Sequence, residues 1–557
     1  MTPLVLNQVV AFDDWFYVGG EFKRVDFSCN TQFGSYCAQA LLDGSKDVGG
    51  AQIRFHDVGA EHRSLAQLLE AADGDDTHLL VLIPCGRYRE ATYSTIARLV
   101  ERVRPRLCLL AGACLPDDPA RILDRIPLVD GILLGDDPTP LADVAAAITR
   151  PAWRSTVTDI AGFAWRCHDG SIVLRQSRRP VGPLGPLSLD VRGAGLQITR
   201  DRGAAHVDSY GKWLIDSSVG CPRKCIYCRT PVLSRRQNDW TWRPRTAADM
   251  ADELEKVVRA YGITEFRFQD DNFLMPDAAA WQRCHEFVDE LDRRNLNISF
   301  QIMFHVSALT NSDPQVATAA FESLERVGLE RVFLGTESGD DATLRYYRKE
   351  STLSMNEAAL RWLAGRAVVV VMGAVVFHPR TTIAQLRNDH AFFRRWIGSS
   401  RFAALAPLGT YTHIIPGSEL EDEVISTGLQ DTTEAEFRPA DDSAAAALRA
   451  MIRFRRRLFA HDWYLFAVRR DLRHWLRVNR PDPETEALLD ATIRPSALTG
   501  LDHSIEIIDQ AANGGDPSEL ERNAALHLYQ LDFELSKVIE QTPFSSSMRA
   551  RLYSEPQ

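Results

Sequence analysis

Apolar runs alternate with amphipathic stretches through the first 150 residues. Short continuous apolar segments are followed by segments with apolar residues at helical spacing, as in THLLVLIP at 77–84 and the following YREATYSTIARLVERV. Strands buried on both faces and joined by helices are typical of a parallel sheet with helices on either side. The predicted strands are LVLNQVV (4–10), AQIRFHD (51–57), THLLVLIP (77–84), RLCLLAG (106–112) and VDGILLGD (129–136). The pattern therefore predicts a doubly wound, Rossmann-like α/β domain over 1–150.

Residues 151–212 have a different pattern. IAGFAWRCHDGSIVLRQ at 160–176 alternates apolar and polar residues around HDGS, which is typical of a β-hairpin. RRPVGPLGPLSLD at 178–190 is rich in proline and glycine, as connecting segments are. We predict a linker that contains one hairpin.

A second alternation of strands and helices runs over 213–425. Five or six such units favour a parallel βα barrel of the TIM type, complete or partial, in which functional groups lie at the carboxyl ends of the strands. One of its helices, TAADMADELEKVVRAYG, is expected to be capped by Thr246. The predicted strands are KWLIDSS (212–218), ITEFRFQDDNF (263–273), ISFQIMFHVSAL (298–309), RVFLGTESG (331–339), VVVVMGAVVFHP (368–379) and RFAALAPLGTYTHIIP (401–416). Residues 426–557 lose the strand pattern and predict a helical domain.

Composition and charge exclude several classes of protein. The chain has 557 residues, of which 45% are hydrophobic and 25% charged, and no apolar run reaches the roughly 18–20 residues that a membrane helix needs. The first residues lack the basic segment of a signal peptide, so a cytoplasmic location without membrane contact is expected. The net charge of −11 argues against a nucleic-acid partner. The arginine-rich stretch at 453–477 is interpreted as an amphipathic helix that packs its aromatic stripe inward, with nucleic-acid or anion binding as the alternative.

Three cysteines form a tight cluster in GCPRKCIYC. Cys221, Cys225 and Cys228 have the spacing C-x3-C-x2-C. An odd number of thiols in a cytosolic chain argues against disulfides, and a structural zinc site needs four ligands, usually as two separated pairs. Three thiolates suit a [4Fe–4S] cluster with one iron left open. Zinc, or no metal, remains the alternative.

The cysteine motif, with Tyr227 before its last cysteine, resembles that of the radical S-adenosylmethionine (radical SAM) superfamily. The resemblance implies that the open iron holds the methionine part of SAM. Four later segments also resemble family motifs: ITEFRFQDDNF, RVFLGTESG, VMGAVVFHPRTT and THIIPGSELEDE. It further implies a set of residues that bind SAM, namely Tyr227, Asp270, Asp271, Asn272, Glu337, Ser338 and Pro379.

A doubly wound sheet placed before such a barrel resembles the cobalamin-binding subgroup, the class B methyltransferases. The resemblance implies that Gly112 and Gly135, at strand ends, contact cobalamin. The motif D-x-H-x-x-G, whose histidine binds cobalt in many cobalamin proteins, does not occur. Side chains from strand-end loops are therefore expected at the lower face of the metal, the candidates being Arg63, Arg87 and Tyr88.

The expected activity is C-methylation of a small aromatic or heterocyclic precursor in antibiotic biosynthesis. The methyl group would pass from SAM by way of cobalamin, and an external donor would supply electrons. A variant of the subgroup, the tryptophan 2-methyltransferase type of thiopeptide pathways, makes tryptophan the leading substrate. Substrate contacts are expected from Gln301, His305, Tyr411 and His413. Three alternatives stay open: a cyclisation or rearrangement without methylation, a first domain that acts only as a scaffold, and an iron–sulfur electron carrier.

Overall fold

A computed structural model describes most of the chain. The described residues are 5–13, 17–18, 21–22, 37, 40–41, 43–45, 51–57, 77–85, 90–112, 119–135, 137–175, 213–237, 240–399, 401–415, 417–433, 435–479 and 483–541. The chain divides into two compact units. One contains residues 1–222, 228–267 and 415–418, and the other contains 223–227, 268–414 and 419–557. The predicted domain boundaries at 150, 212 and 425 stay predictions.

The first sheet has seven strands in the order β4-β1-β5-β6-β7-β8-β9. From β4 to β7 all neighbours are parallel, and numbered along the chain these strands run second, first, third, fourth, fifth. This is a doubly wound order with its switch point between the first and third parallel strands, where such sheets bind ligands. The parallel sheet predicted from the apolar runs is confirmed. Its strands are β1 (Val5–Asp13), β4 (Ala51–Asp57), β5 (Thr77–Cys85), β6 (Leu107–Leu110) and β7 (Gly131–Leu133).

The predicted hairpin is confirmed, and it belongs to the first sheet. Strands β8 (Phe163–Arg166) and β9 (Ile172–Arg175) pair antiparallel, and β8 also pairs antiparallel with β7. Phe163 and Trp165 are buried in the core of this sheet. The hairpin therefore extends the sheet, because its apolar side needs burial. A small separate hairpin joins β2 (Tyr17–Val18) to β3 (Glu21–Phe22).

Alternate residues of β5 enter two apolar cores, one on each face of the first sheet. Leu79, Val81 and Ile83 pack on one face, whereas Leu80 and Leu82 pack on the other. This division is the period-two signature of a strand buried on both sides. The helices described in this region are Glu90–Val103, Pro119–Arg125, Pro140–Ile148 and Trp153–Val157.

The second sheet has six strands in the order β10-β13-β14-β15-β16-β17. The pairs from β14 to β17 are parallel, and the order has two ends, so the strands form a partial barrel. Its strands are β10 (Trp213–Ile215), β13 (Glu265–Phe268), β14 (Ser299–His305), β15 (Leu329–Glu337), β16 (Val369–Ala374) and β17 (Phe402–Ala403). A two-stranded ribbon pairs β11 (Ser218–Val219) with β12 (Arg243–Pro244).

The last predicted strand is much shorter than its apolar run. Ala406 has a positive φ of 45°, and Pro407 begins a 3-10 turn that ends at Gly409. Proline cannot donate to a ladder, so the strand ends before it. Pairing resumes only as a parallel bridge between Phe377 and Tyr411.

The helices of the second region follow the predicted pattern, with additions. Thr246 caps its helix as predicted, because its side chain accepts a hydrogen bond from the N–H of Asp249 at 3.1 Å. Helices Arg229–Gln237, Asp341–Tyr346 and Leu353–Ala364 lie in stretches where no element was predicted. The other helices are Ala247–Tyr261, Ala278–Arg293, Ser307–Thr310, Pro314–Arg326, Ile383–Trp396 and Glu419–Ser426.

Three long helices make up the C-terminal part, as predicted: Asp442–Asn479, Pro483–Ala512 and Ser518–Gln541. In the first of them, Phe454 and Phe466 are buried, and Phe466 packs against Val369 and Val371 of the partial barrel, as the inward-facing stripe predicted for these residues requires. Among the helices that the structure describes, none combines the length and apolar character needed to cross a lipid bilayer.

Candidate active site

The cysteine loop follows β11 and needs a glycine to begin. Gly220 has a φ of +87°, and a Cβ there would lie 2.6 Å from the carbonyl oxygen of Thr241. Any other residue would therefore meet both backbone strain and a backbone clash. The loop then ends at the helix that begins at Arg229.

The three cysteines differ from the core thiols of the chain. Cys225 is buried, while Cys221 and Cys228 are partly exposed. The N–H of Thr230 donates to Cys228 Sγ at 3.5 Å, an interaction that favours a thiolate. In contrast, burial raises the pKa of the thiols of Cys37, Cys108 and Cys284, which behave as core residues. Three thiols on one short loop are a donor set that fits an iron–sulfur cluster.

A buried ion pair lies at the carboxyl end of β15. Lys349 Nζ donates to Glu337 Oε1 at 2.7 Å, with each side chain about 10% exposed, and it also lies 3.4 Å from the hydroxyl of Tyr227. Glu337 has a φ of +59°, which is strained for a residue with a side chain. Gly335 leaves room for the pair, since a Cβ there would lie 2.9 Å from Lys349 Nζ.

The backbone around Lys349 is also strained. Arg348 and Glu350, on either side of it, have positive φ values of 51° and 57°. Such conformations persist where the surrounding structure holds them, and they concentrate at functional sites. Sequence reasoning missed Lys349, because it lies in a loop between two helices with no motif to mark it.

His305 lies at the end of β14 and is fixed by bonds within the chain. Its Nδ1 accepts from the N–H of Ser307 at 3.1 Å, so the ring proton is on Nε2, which donates to the carbonyl of Lys349 at 2.8 Å. Burial, aided by the charges of Lys349 and Arg223, lowers the pKa of His305 to about 2. The imidazole is therefore neutral and links two strand-end loops. A role in substrate contact stays a prediction.

Arg223, inside the cysteine loop, is a second residue that the motif did not reveal. Its guanidinium donates to Ser307 Oγ and, at 2.8 Å, to Glu350 Oε2. Ser307 in turn bonds to His305. Hydrogen bonds thus run from Arg223 in the cysteine loop through Ser307 to His305 at the carboxyl end of β14.

The polar residues after β13 point in different directions. Asp270 and Asn272 are each 1% exposed, whereas Asp271 is exposed. Asn272 Oδ1 accepts from the backbone N–H of His305 at 3.0 Å, which ties the end of β13 to the end of β14. Of these three SAM candidates after β13, Asp271 is the one whose side chain faces solvent.

Ser338, which follows β15, bonds to a buried aspartate that holds the end of this strand. Its hydroxyl donates to Asp389 Oδ1 at 2.6 Å, and the N–H of Gly339 donates to the same oxygen. Burial raises the pKa of Asp389 to about 7. Pro379 is buried, and its carbonyl accepts from the N–H of Ala440 at 2.8 Å. Contacts of Ser338 and Pro379 with SAM stay predictions.

The remaining substrate candidates occupy two strands. Gln301 and His305 are four residues apart on β14, so their side chains lie on the same face of the sheet. They pair in register with Arg331 and Gly335 of β15. Tyr411 is buried and His413 exposed, and their ring centroids are 5.5 Å apart.

Two of the predicted cobalamin contacts lie at strand ends of the first sheet. Gly112 follows β6 with a φ of +141°, and Gly135 follows β7 with a φ of +104°. Both conformations favour glycine, and a strand end without a side chain lets a ligand approach the backbone, which fits a bulky cofactor. Arg63, Arg87 and Tyr88 lie outside the described residues.

Comparison with known proteins finds a family match to one part of the chain. Residues 215–392 match the radical SAM superfamily. This part of the chain is a radical SAM domain, and the fold of the chain is that of cobalamin-dependent radical SAM enzymes.

Two solved structures share this fold. The cobalamin-dependent radical enzyme OxsB, with aqua-cobalamin and S-adenosylmethionine bound, is similar over 99% of this chain and 84% of its own, with a TM-score of 0.65 and 13% identity. The radical SAM methyltransferase TsrM from Kitasatospora setae, with cobalamin and a [4Fe–4S] cluster bound, is similar over 76% of this chain and 75% of its own, with a TM-score of 0.55 and 14% identity.

A curated relative is similar in sequence over a shorter segment. The anaerobic magnesium-protoporphyrin IX monomethyl ester cyclase of Synechocystis sp. is 30% identical over 176 residues. That segment is 31% of this chain and 32% of the cyclase, so the match spans about a third of the relative's length.

Proposed function

We propose that the protein is a cobalamin-dependent radical SAM methyltransferase that transfers a methyl group from SAM, by way of cobalamin, to a carbon of a small aromatic or heterocyclic molecule. The observation that carries the proposal is one chain with a doubly wound parallel sheet followed by a radical SAM domain with three loop cysteines. The likeness to TsrM, itself a methyltransferase, supports methylation. Tryptophan is the first substrate to test.

Several groups of the chain have assignable roles under this proposal. The three thiolates would hold the [4Fe–4S] cluster, and the strand ends at Gly112 and Gly135 would receive cobalamin. When bound, these groups supply electron transfer and a methyl carrier, chemistry that side chains cannot provide. Glu337, kept in place by Lys349 and Gly335, presents a fixed carboxylate to a bound cosubstrate. Asn272 and His305 lock two neighbouring strand ends, so the polar groups there are positioned before any ligand binds.

A second candidate function is a cyclisation or rearrangement without methyl transfer. The sequence similarity to a cyclase, at 30% identity, favours it. The two candidates share the cofactors and differ in the product, since methylation adds one CH2 and cyclisation does not. An iron–sulfur electron carrier would leave the strained, buried Glu337 without a purpose.

The test is mass spectrometry of products formed from SAM with a deuterated methyl group. Protein reconstituted without oxygen with iron, sulfide and cobalamin is incubated with a reductant and either tryptophan or pyrrole-2-carboxylate. The proposal expects a product that carries the deuterated methyl group only when cobalamin is present. Turnover to an unmethylated product would favour the second candidate. Measurement of 5′-deoxyadenosine in the same reactions separates radical from polar transfer, since only the radical route cleaves SAM reductively.

A further inference from the structure

Arg455, which has no carboxylate partner among the described residues, packs on an aromatic ring that follows the last barrel strand. The guanidinium carbon of Arg455 lies 4.6 Å from the centroid of the Tyr411 ring. Tyr411 follows the turn after β17, and its isolated bridge to Phe377 places it beyond the end of β16. Catalytic and binding groups of parallel barrels lie at these carboxyl ends.

The helix that carries Arg455 is held close to this strand end. A Cβ on Gly409 would lie 3.0 Å from Arg455 Cβ, so the glycine lets the helix approach the turn. Further along the same helix, Asp462 accepts from the N–H of Ala406 at 2.7 Å. These contacts fix Arg455 and Tyr411 relative to each other.

The partners of its guanidinium distinguish Arg455 from other arginines of the same helix. Arg453, on the same helix, pairs with Glu521 at 3.2 Å, and Arg469 binds the carbonyls of Ile397 and Ser399. Within the described part of the chain, Arg455 has no carboxylate at salt-bridge distance and no hydrogen-bond acceptor. A half-buried cation in this state has donors left for an external anion.

We infer that Arg455, stacked on Tyr411, binds the carboxylate of a small aromatic substrate. The face of the guanidinium contacts the ring, while its edge presents parallel N–H groups that match a planar carboxylate. The exposed His413, whose ring centroid lies 5.5 Å from that of the buried Tyr411, supplies aromatic surface next to the stacked pair. This inference rests on the proposed function and narrows its substrate to aromatic acids, for which decarboxylated analogues are poor ligands.

The experiment compares ligands that differ only in the carboxylate. Isothermal titration calorimetry measures the binding of indole-3-propionate against 3-ethylindole, and of pyrrole-2-carboxylate against pyrrole, to the full reconstituted chain without turnover. For at least one pair, wild-type protein binds the acid about 10- to 100-fold more tightly than its neutral partner, as charge-assisted hydrogen bonds to a carboxylate require. In Arg455→Gln this preference disappears. Arg455→Lys, which keeps the charge but not the fork, restores part of it.

The matched control is Arg457→Gln, which removes an exposed arginine two residues along the same helix and keeps the preference. Iron content and thermal unfolding verify that each variant is folded. Equal binding of acid and neutral partner in both pairs by wild-type protein overturns the inference, as does an unchanged preference in Arg455→Gln. The proposed function fails separately, by the absence of a methylated product in the wild-type assay.

Discussion

The two sheets of the molecule end their strands in different ways. In the first sheet, β6 and β7 are followed by Gly112 and Gly135, whose positive φ values suit glycine. In the second, β15 ends at Glu337, whose positive φ is strained because it has a side chain, and whose buried carboxylate is paired with Lys349. A strand end with glycine offers backbone and space, whereas one with a strained glutamate offers a fixed charge. The first sheet is therefore suited to a large cofactor, and the second to polar chemistry.

The largest effect is expected from Cys225→Ala. Removal of one of three thiolates from the loop should empty the iron–sulfur site and abolish turnover, while cobalamin bound by the first sheet stays. We would measure the cluster by iron analysis and by its absorbance, and the bound cobalamin by the corrinoid absorbance of the reconstituted protein. Cys284→Ala, which removes a buried thiol from helix Ala278–Arg293, should keep its iron. Full iron content in Cys225→Ala would contradict the assignment of the loop.

Lys349→Met tests the charge at the second sheet. It leaves the carboxylate of Glu337 buried without its partner, which should lower the free energy of unfolding by about 3–5 kcal/mol. The double variant with Glu337→Gln should recover much of this loss. Urea denaturation of the proteins gives the values. The control Arg348→Met breaks an exposed pair with Glu419 and should cost less than about 1 kcal/mol. Equal losses of stability in Lys349→Met and Arg348→Met would show that the buried pair contributes no more than the exposed one.

Two glycine variants compare the space that each sheet needs. In Gly131→Ala the new Cβ would lie 2.5 Å from the buried ring of Trp165, so a loss of about 1–3 kcal/mol in stability is expected. In Gly335→Ala the new Cβ would lie 2.9 Å from Lys349 Nζ and 3.1 Å from Glu337 Oε1, the ends of two side chains that can shift. The loss of stability should therefore be smaller than in Gly131→Ala, while SAM binding weakens because the carboxylate is displaced. Thermal unfolding and equilibrium dialysis with SAM separate the two outcomes. If Gly131→Ala weakened SAM binding and Gly335→Ala caused the larger loss of stability, the proposal that Gly131 makes room for core packing and Gly335 for the site would be wrong.

The smallest effect concerns Asp389, which supports the end of β15. Because burial raises its pKa from the ordinary value to about 7, the folded state binds this proton more tightly than the unfolded state. The carboxyl therefore costs stability as pH rises from about 4 to 7. Asp389→Asn keeps an oxygen for Ser338 and should gain about 0.5–2 kcal/mol at pH 8 but little at pH 4. Denaturation at both pH values measures this, with exposed Asp422→Asn as the control.

The sequence predicted the elements whose periodicity is strong. The strand Ala51–Asp57 matched its prediction at both ends, and Thr246 was recognised as a cap because its signal is local. The last strand was predicted too long, since an apolar run does not reveal the turn at Pro407. Contacts made across the fold, such as Lys349 with Glu337 or Ser338 with Asp389, left no local signal. Motifs thus located the site, and tertiary packing determined which of its polar groups are engaged.

The helix Asp442–Asn479 has a consequence for how such enzymes diversify. It contacts the carboxyl-end turn through Arg455 and, through Arg469, the segment that precedes β17, yet it belongs to neither the cysteine loop nor the barrel strands. Under the inferred role of Arg455, substitutions on the side of this helix that faces the turn should change which molecules bind without disturbing the cluster loop. Duplicated genes could therefore acquire new selectivity through this helix while they retain the inherited catalytic apparatus.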